Sequence, residues 1–251
     1  MAGIYDRADI YDLIEDEGRY EMYRRHWEAV LNGKNIHSLL DVSIGSGSMT
    51  LPLTDLGVTL SGSDLSRTML EKCAGKAAGK HVELQCSDFR TLDCWAGRQF
   101  DCVASTGNSL PYVTNADVEK TLEGMDALVA PGGYLYADIR NWDWMLREKP
   151  RFYTYNPIFR DGNRINFVQL WDYNPDGTMT FNLLFTFEKD NRVFQKEIFE
   201  EHYHPISRHL ILEKLAQMGY VDMEVMRLPA FARAADLEKA DWHTIIARKP
   251  L

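Results

Sequence analysis

The stretch Leu39-Leu-Asp-Val-Ser-Ile-Gly-Ser-Gly47 carries a short apolar run directly into a turn with two glycines. Residues 38–44 predict a buried strand. Gly45 and Gly47 let the backbone after that strand approach a ligand closely and adopt unusual dihedral angles. The helix expected next, which ends at Gly57, offers free N–H groups in its first turn. The stretch therefore predicts a strand, a ligand-binding loop and a helix.

Strand and helix patterns alternate after this loop. Further strands are predicted at 58–64, 82–88, 100–106 and 134–140, and helices at 66–77, with Ser66 as N-cap, and at 116–130. Such units predict an α/β fold in which a parallel sheet has helices on both faces and right-handed, Rossmann-like crossovers. Ligands of these sheets bind at the carboxyl ends of the strands, near the switch in strand order.

The two ends of the chain and its middle follow other patterns. Residues 1–33 predict a helix that ends at Gly33. Residues 163–173, 177–189 and 192–203 alternate apolar and polar side chains, which predicts an antiparallel meander. A last helix at 207–219 and two closing strands at 220–228 and 241–250 complete the chain. We therefore expect an N-terminal helical lid (1–34), a Rossmann-like domain (35–150 and 205–251) and an antiparallel substrate-capping insertion (151–204).

Composition and charge exclude several classes of binding partner. The formal net charge of −9 repels phosphate backbones, so no nucleic-acid partner is expected. No stretch approaches 18 apolar residues, and the acidic start lacks the apolar region of a signal peptide, so a cytoplasmic protein without a membrane partner is expected. The four cysteines form no C-x-x-C pair, and no metal is expected. A small molecule is the expected partner, and a homodimer is compatible with the added sheet.

Three acidic positions follow the strand ends in a pattern that suits one kind of ligand. Asp41 can meet the amino group of a cofactor that carries an amino acid, and Asp64 can accept hydrogen bonds from ribose hydroxyls. Asp88 can bind an adenine amino group, while Phe89 stacks on the ring. A dinucleotide site is the rival interpretation, but its fingerprint needs a third glycine where this chain has Thr50.

With these residues the chain resembles the class I S-adenosylmethionine-dependent methyltransferases. The first glycine loop resembles that family's first motif, with departures at Ser43 and Met49, and Ser61-Gly-Ser-Asp-Leu65 resembles its second. The resemblance implies that S-adenosylmethionine is the cofactor and S-adenosylhomocysteine the product. The cofactor-binding residues that it implies are Asp41, Gly45, Gly47, Asp64, Leu65, Asp88, Phe89, Thr106, Gly107 and Tyr23.

Within that class the chain resembles the glycine N-methyltransferase-like group. The likeness lies in Thr106-Gly-Asn-Ser109, in Arg140-Asn-Trp-Asp143 and in Tyr203-His-Pro205. It departs at Tyr112, where that group has a histidine. The resemblance implies catalytic roles for Asn108, Tyr112 and Tyr5, and substrate-binding roles for Ser109, Arg140, Asn141, Trp171 and Tyr203.

The expected function is methyl transfer to a small molecule, at an amine nitrogen of an amino-acid-like acceptor. Such a reaction mainly needs the acceptor nitrogen held in line with the methyl group and sulfur. We expect the side-chain carbonyl of Asn108 to orient the nucleophile. Arg140, Arg160 or Arg164 can bind a carboxylate bidentately, and the sequence does not select among them.

Two alternatives remain open. The first is O- or C-methylation of an aromatic or natural-product scaffold, for which His202, His204 and His243 are the candidate bases. Residues Glu200 to His204 resemble a metal cluster, but strand alternation separates Glu201 from both histidines. The second alternative is a non-catalytic protein that binds S-adenosylmethionine and interacts with a partner.

Overall fold

The strands form two sheets in a computed structural model that describes residues 3–11, 13, 17–232 and 237–251. The strands are β1 Ser38–Asp41, β2 Thr59–Asp64, β3 Val82–Cys86, β4 Phe100–Ser105, β5 Val129–Arg140, β6 Phe152–Thr154, β7 Ile158–Arg160, β8 Asn163–Tyr173, β9 Met179–Lys189, β10 Arg192–Tyr203, β11 Val221–Arg227 and β12 Trp242–Arg248. The α-helices are α1 Ala8–Tyr11, α2 Glu17–Leu31, α3 Arg67–Lys76, α4 Asn115–Asp126, α5 Trp142–Glu148 and α6 Arg208–Gln217. Short 3₁₀ helices lie at Ile4–Asp6, Leu51–Leu56, Asp93–Trp95, Leu110–Tyr112 and Leu237–Lys239.

The larger sheet has the strand order β11-β12-β5-β4-β1-β2-β3. Strands β1 to β5 are parallel, and β12 joins β5 in the antiparallel direction. The chain builds β1, β2 and β3 toward one edge and then returns to place β4 on the other side of β1. This reversal makes β1 and β4 the switch point, and the predicted Rossmann-like class is confirmed.

Both faces of this sheet are covered. Successive residues of a strand face opposite sides of the sheet. In β1, Leu39 belongs to one hydrophobic core and Leu40 to the other. Trp27 and Val30 of α2 are fully buried in the core of Leu39. Helices α4 and α6 pack into the core of Leu40 together with the second sheet. The two-sided burial explains why the parallel strands are almost continuously apolar.

The smaller sheet is antiparallel, with the order β10-β9-β8-β6 and with β7 paired to β8. Its inward face contributes Phe167, Trp171 and Phe181 to the same core as α4 and α6. The aromatic ring of Phe181 lies 5.7 Å from that of Trp142 on α5, measured between ring centroids. The predicted meander is therefore present, and it is packed against the carboxyl-end side of the larger sheet. The three-residue strands β6 and β7 were not predicted.

Two predicted boundaries are wrong. Helix α4 ends at Asp126 and β5 begins at Val129, whereas the sequence predicted a helix to 130 and a strand from 134. Pro131-Gly-Gly133 resembles a turn between a helix and a strand. In the structure the pairing of β4 with β5 shifts its register at this point, so these residues form an irregularity within β5. Strand β1 ends at Asp41 instead of residue 44, because the chain turns into the glycine loop immediately after it.

The N-terminal helix prediction is correct only in part. The apolar periodicity holds over α2, and this part packs against the Leu51–Leu56 helix of the Rossmann-like domain. Residues Ile4–Tyr11 form a 3₁₀ turn and α1 instead of one long helix. Their apolar side chains, Ile4 and Ile10, are buried in the main core, so packing and not helix periodicity decides their conformation.

Helices α3 and α6 begin at serine caps. Ser66 Oγ accepts a hydrogen bond from Met69 N at 3.3 Å, and Ser207 Oγ accepts one from His209 N at 3.1 Å, as predicted for these two serines. Within the described part of the chain, no helix has the length and apolar character needed to cross a membrane.

Candidate active site

A cavity of about 820 Å³ opens at the carboxyl ends of the strands around the switch point. The glycine loop, the ends of β2, β4 and β5, the antiparallel sheet and the N-terminal segment all contribute to its wall. Its size lies in the upper part of the range of about 300–1,000 Å³ that is usual for small-molecule sites. The predicted site residues in the wall are Tyr5, Tyr23, Gly45, Asp64, Leu65, Phe89, Thr106, Gly107, Asn108, Ser109, Tyr112, Arg140 and Tyr203.

Asp64 at the end of β2 faces the glycine loop. One carboxylate oxygen accepts a hydrogen bond from Gly45 N at 2.9 Å, and the other accepts one from Ser66 N at 2.8 Å. A carboxylate has about four acceptor positions, so these backbone hydrogen bonds leave acceptor capacity for a ligand hydroxyl. Asp64 therefore fixes the loop and keeps acceptor capacity at the cavity wall. A ribose diol matches this capacity.

An apolar slot lies next to Asp64. Leu65 is 70% exposed although it is a large apolar residue, and it lines the cavity together with Met69 and Phe89. A flat aromatic base is the kind of ligand group that would cover these side chains. The acidic acceptor and the adjacent apolar slot together fit an adenosyl group. Asp88 lies outside the wall, because its carboxylate pairs with Arg90 at 2.5 Å, so its predicted adenine contact is not supported.

Asp41 lies behind the wall, not in it. Its side chain is fully buried, and its oxygens accept hydrogen bonds from Ser43 N at 3.1 Å, Thr50 Oγ1 at 3.1 Å and Thr106 Oγ1 at 2.7 Å. Burial raises the pKa of Asp41 to about 6, against the opposing effect of these hydrogen bonds. The direct cofactor contact predicted for Asp41 is therefore replaced by an indirect one: Asp41 ties the glycine loop to Thr106.

Gly47 is also absent from the wall, and its role is steric. Its φ is +79°, in the left-handed region, and a Cβ at this position would lie 2.7 Å from Cys73 Sγ and 2.8 Å from the Leu51 side chain. The loop can therefore fold against α3 only with glycine here. Gly45, with φ of +54°, is the glycine of the pair that faces the cavity.

Asn108 lines the cavity with a different group from the one predicted. Its φ is +60°, and its side-chain oxygen accepts hydrogen bonds from Arg140 N at 2.9 Å and Trp142 Nε1 at 3.0 Å. The carbonyl is therefore occupied within the protein, and its role in orienting the nucleophile stays a prediction. The amide N–H groups of Asn108 are what the side chain can offer to a ligand.

A second buried acid supports the same loop from behind. Asp138 Oδ1 accepts hydrogen bonds from Gly107 N at 3.0 Å and Asn108 N at 3.3 Å. Burial, and next the nearby charge of Asp41, raises the pKa of Asp138 to about 8. Two carboxyl groups with raised pKa values thus lie directly beneath the cavity wall. A positively charged ligand would favour their ionised form.

Three tyrosine hydroxyls form a chain in the cavity wall, where the N-terminal segment, the loop after β4 and β10 meet. Tyr5 and Tyr112 oxygens lie 2.7 Å apart, and those of Tyr112 and Tyr203 lie 2.6 Å apart. Burial raises the pKa of all three tyrosines above the ordinary value. The hydroxyls therefore stay protonated near neutral pH and act as hydrogen-bonding groups, not as bases. The structure brings together these three predicted residues, each from a different part of the chain.

Of the three arginines considered for a carboxylate, Arg140 is the one in the cavity wall. It is 7% exposed, its Nη2 donates to Gln169 Oε1 at 3.2 Å, and its guanidinium lies between 5.0 and 5.7 Å from four aromatic ring centroids. Among the described residues no carboxylate pairs with it. Arg164 instead pairs with Glu188, and Arg160 is exposed on β7, outside the cavity.

Two predicted substrate residues have structural roles instead. Asn141 Oδ1 accepts a hydrogen bond from Trp144 N and caps α5, while Nδ2 donates to the carbonyls of Glu238 and Ala240, both at 2.9 Å. Its amide is thereby satisfied within the protein. Trp171 lies behind the wall, with its ring centroid 5.4 Å from the Arg140 guanidinium, and it donates its indole N–H to Gln169.

Glu201 is a wall residue that the sequence reasoning did not assign to the site. It is 8% exposed on β10, two residues before Tyr203, and Ile4 N donates to its Oε1 at 3.4 Å. Strand alternation carries the signal, because Phe199, Glu201 and Tyr203 face inward. A carboxylate on the inward, apolar face of a strand is unusual and is typical of a functional position.

The histidines considered as bases lie elsewhere. His202 is exposed and pairs with Glu200, and His204 is not in the wall. His243 is buried beside the Leu237 carbonyl, 2.8 Å from Nε2, and burial lowers its pKa. In the part of the chain that the structure describes, no group of three or more His, Cys, Asp and Glu side chains is arranged to hold a metal ion.

Comparison with known proteins agrees with this geometry. Residues 39–133 match a family model described as a methyltransferase domain. The chain is 26% identical to glycine N-methyltransferase of Rattus norvegicus over 157 residues, which is 56% of this chain and 54% of that protein. The chain thus spans about half the length of the curated relatives it matches.

Solved structures share the fold over almost the whole chain. A SAM-dependent methyltransferase from Clostridium acetobutylicum ATCC 824 superposes with a TM-score of 0.75 at 17% identity, covering 98% of both chains. An amino pentose methyltransferase from Micromonospora echinaspora, solved with SAM bound, has a TM-score of 0.72 at 16% identity, covering 99% of this chain and 98% of that one. Residues 39–133 therefore match a methyltransferase domain, and the chain as a whole has the fold of solved S-adenosylmethionine-dependent methyltransferases.

Proposed function

We propose that the protein transfers a methyl group to the amine nitrogen of a small acceptor that carries a carboxylate, such as an amino acid. The observation that carries this proposal is Arg140, a buried guanidinium in the cavity wall without a carboxylate partner among the described residues. A buried cation costs free energy unless it is paired, and a bidentate carboxylate is its natural partner.

The methyl donor is expected on the glycine-loop side of the cavity. Asp64 would accept the ribose hydroxyls, and Leu65 and Phe89 would cover the adenine. S-Adenosylmethionine supplies a methyl group on a positively charged sulfur, and S-adenosylhomocysteine remains after the transfer. The ionised forms of Asp41 and Asp138 beneath the wall favour a positively charged donor over its neutral product.

The acceptor is expected on the side of the antiparallel sheet. Arg140 would hold the carboxylate, and the Asn108 amide and the chain of tyrosine hydroxyls would surround the amine. Glu201 would attract the ammonium form of the amine and accept a proton from it. The freed nitrogen lone pair then forms the new N–C bond while the C–S bond breaks, and its electron pair stays on sulfur.

The positions of the possible bases favour an amine over a carbon acceptor. A carbon nucleophile needs a strong base beside it, and the three histidines considered for that role are outside the cavity wall. An amine needs only the loss of one proton, and Glu201 is the carboxylate in the wall that we propose as its first acceptor. Phenols remain in the test panel, since a carboxylate can also assist an O–H group.

The test is release of S-adenosylhomocysteine with a panel of matched acceptors. Each amino acid is paired with the amine that lacks its carboxylate, and phenols and an amino sugar complete the panel. Wild type is compared with Arg140→Met and with Arg164→Met, which alters an arginine outside the cavity. Mass spectrometry locates the added methyl group.

We expect turnover with amino acids, a loss of roughly 100-fold or more in kcat/KM when the carboxylate or the Arg140 guanidinium is absent, and little change in Arg164→Met. Equal rates with and without the carboxylate would reject the role of Arg140. Turnover only with phenols or with the amino sugar would reject the amine–carboxylate acceptor and leave the cofactor assignment standing.

A further inference from the structure

A continuous strip of side chains leads away from Arg140 along the antiparallel sheet. The Arg140 guanidinium donates to Gln169 Oε1, and Gln169 Nε2 donates to the Tyr155 hydroxyl, both at 3.2 Å. The Tyr155 ring stacks on Phe167 with a centroid separation of 4.4 Å, and Phe167 stacks on Phe185 at 4.2 Å. All five side chains line the cavity. We call Tyr155, Phe167 and Phe185 the aromatic strip.

The strand register sets the spacing between the cation and the strip. Gln169 pairs with Leu183 across β8 and β9, and Phe167 pairs with Phe185. Gln169 and Phe167 are two residues apart on the same face of β8, which corresponds to about 7 Å. The aromatic strip therefore begins about 7 Å along β8 from Gln169, the residue that hydrogen-bonds the Arg140 guanidinium.

We propose that the acceptor has an apolar, preferably aromatic, side group that lies on the aromatic strip, so that the protein methylates a bulky apolar amino acid in preference to glycine. This inference rests on the proposed function, because it takes the carboxylate on Arg140 as the anchor. Glycine would reach Arg140 but has no side chain to pack on Leu183 and the aromatic strip. The cavity of about 820 Å³ has room for such an acceptor beside an adenosyl cofactor.

The expected preference follows from burial of the side group. Covering a phenylalanine side chain stabilises a complex by roughly 1.5–3 kcal/mol, which corresponds to about a 10- to 100-fold gain in affinity. The stacked geometry of the aromatic strip favours a flat ring over an aliphatic group of similar size. We therefore expect the order phenylalanine, then leucine, then glycine.

The first experiment uses the wild-type protein and needs no variant. Binding of phenylalanine, leucine and glycine to the protein loaded with S-adenosylhomocysteine is measured by calorimetry, and kcat/KM is measured for the same three with S-adenosylmethionine. Phenethylamine, which lacks the carboxylate, is the matched control. We expect phenylalanine to exceed glycine by roughly 10- to 100-fold in both measurements, and phenethylamine to bind more weakly than phenylalanine.

The second experiment changes the strip. Phe185→Leu removes part of the aromatic surface, and we expect it to lower kcat/KM for phenylalanine several-fold more than for glycine. Phe199→Leu is the matched control, because Phe199 packs edge-on against Phe185 at 6.2 Å and is buried but does not line the cavity. The control should keep the wild-type ratio between the two substrates.

The outcomes separate this inference from the proposed function. Phenylalanine binding without turnover on any acceptor would support the strip and reject the methyl-transfer proposal. Equal or better use of glycine would overturn the inference and leave the proposed function intact. Turnover of an amine while no amino acid binds would overturn both the carboxylate anchor and the inference.

Discussion

The hydroxyl oxygens of Tyr5 and Tyr112 lie 2.7 Å apart, and this contact joins the N-terminal segment to the loop after β4. Tyr112 is in turn bonded to Tyr203 at the end of β10, so one residue connects three parts of the chain at the cavity. Further polar contacts of the N-terminal segment are the hydrogen bonds from Ile4 N to Glu201 and from Ser66 Oγ to the Tyr5 carbonyl. The tyrosine chain therefore joins the three segments that surround the proposed acceptor position.

Replacing Tyr112 by phenylalanine should weaken the acceptor complex more than the cofactor complex. The variant loses two hydrogen bonds, each worth about 0.5–1.5 kcal/mol, so we expect a drop of roughly tenfold in kcat/KM for the acceptor. The dissociation constant of S-adenosylmethionine should change by less than about threefold, since Asp64 and the apolar slot are untouched. Tyr220→Phe is the control, because its hydroxyl bonds Asp126 outside the cavity. An unchanged kcat/KM in the Tyr112 variant would show that the chain has no role in acceptor binding.

Asp64 and Asp88 should differ sharply in their effect on the cofactor. Asp64→Ala removes the carboxylate that holds Gly45 and faces the cavity, and we expect S-adenosylmethionine binding to weaken by roughly 10- to 100-fold. Asp88→Ala removes a carboxylate that pairs with Arg90 outside the wall, so its effect should be within about twofold. Calorimetric titration of both variants decides the matter. A large loss of S-adenosylmethionine affinity in the Asp88 variant would show that Asp88 contributes to the cofactor site.

The preference for S-adenosylmethionine over S-adenosylhomocysteine should rise with pH. Burial raises the pKa of Asp41 to about 6 and that of Asp138 to about 8, so both carboxyl groups gain negative charge as the pH rises through these values. Only the methyl donor carries the positive sulfur, so its affinity relative to the product should increase by roughly two- to tenfold between about pH 5 and pH 9.

Asp138→Asn tests the upper part of this pH dependence. The asparagine oxygen can still accept the bonds from Gly107 and Asn108, but it cannot ionise. The ratio of the two dissociation constants should then level off above about pH 7. Asp126→Asn, on a carboxylate bonded to Tyr220, should keep the wild-type profile. A wild-type profile in the Asp138 variant would mean that another group produces the effect.

Gly47 should be required for stability as well as for the loop. Gly47→Ala places a Cβ 2.7 Å from Cys73 Sγ at a φ of +79°, and we expect a loss of about 1–3 kcal/mol in the free energy of unfolding. Gly75→Ala is the matched substitution in α3, where a Cβ meets nothing within 4 Å, and it should stabilise by about 0.5–1 kcal/mol. Urea unfolding measures both. Equal stability of the two variants would contradict the packing described for the loop.

Local sequence signals were sufficient to predict where Gly45 and Asp64 lie. The end of a strand places Gly45 and Asp64 at the carboxyl edge of the sheet, whatever the rest of the chain does. The N-cap at Ser66 follows from local chemistry in the same way. Strand ends and helix caps depend on neighbours within a few residues, so they can be predicted from the sequence.

The acceptor side depends on packing between distant segments. Arg140 could be chosen over Arg164 only after β8 and β9 were placed, because Glu188 pairs with Arg164 across that sheet. The Asn108 oxygen was assigned to the substrate because its bonds to Arg140 N and Trp142 Nε1 require the turn after β5. Glu201 can be assigned to the cavity wall only when the position of β10 is known, because the inward face of that strand lines the cavity.

The central claim is most directly tested by transfer of a deuterated methyl group from labelled S-adenosylmethionine to phenylalanine, followed by mass spectrometry of the product. We expect the label on the amine nitrogen, at a rate that Arg140→Met reduces by roughly 100-fold or more. The absence of labelled amine across the whole panel, from a protein that binds S-adenosylmethionine, would contradict it.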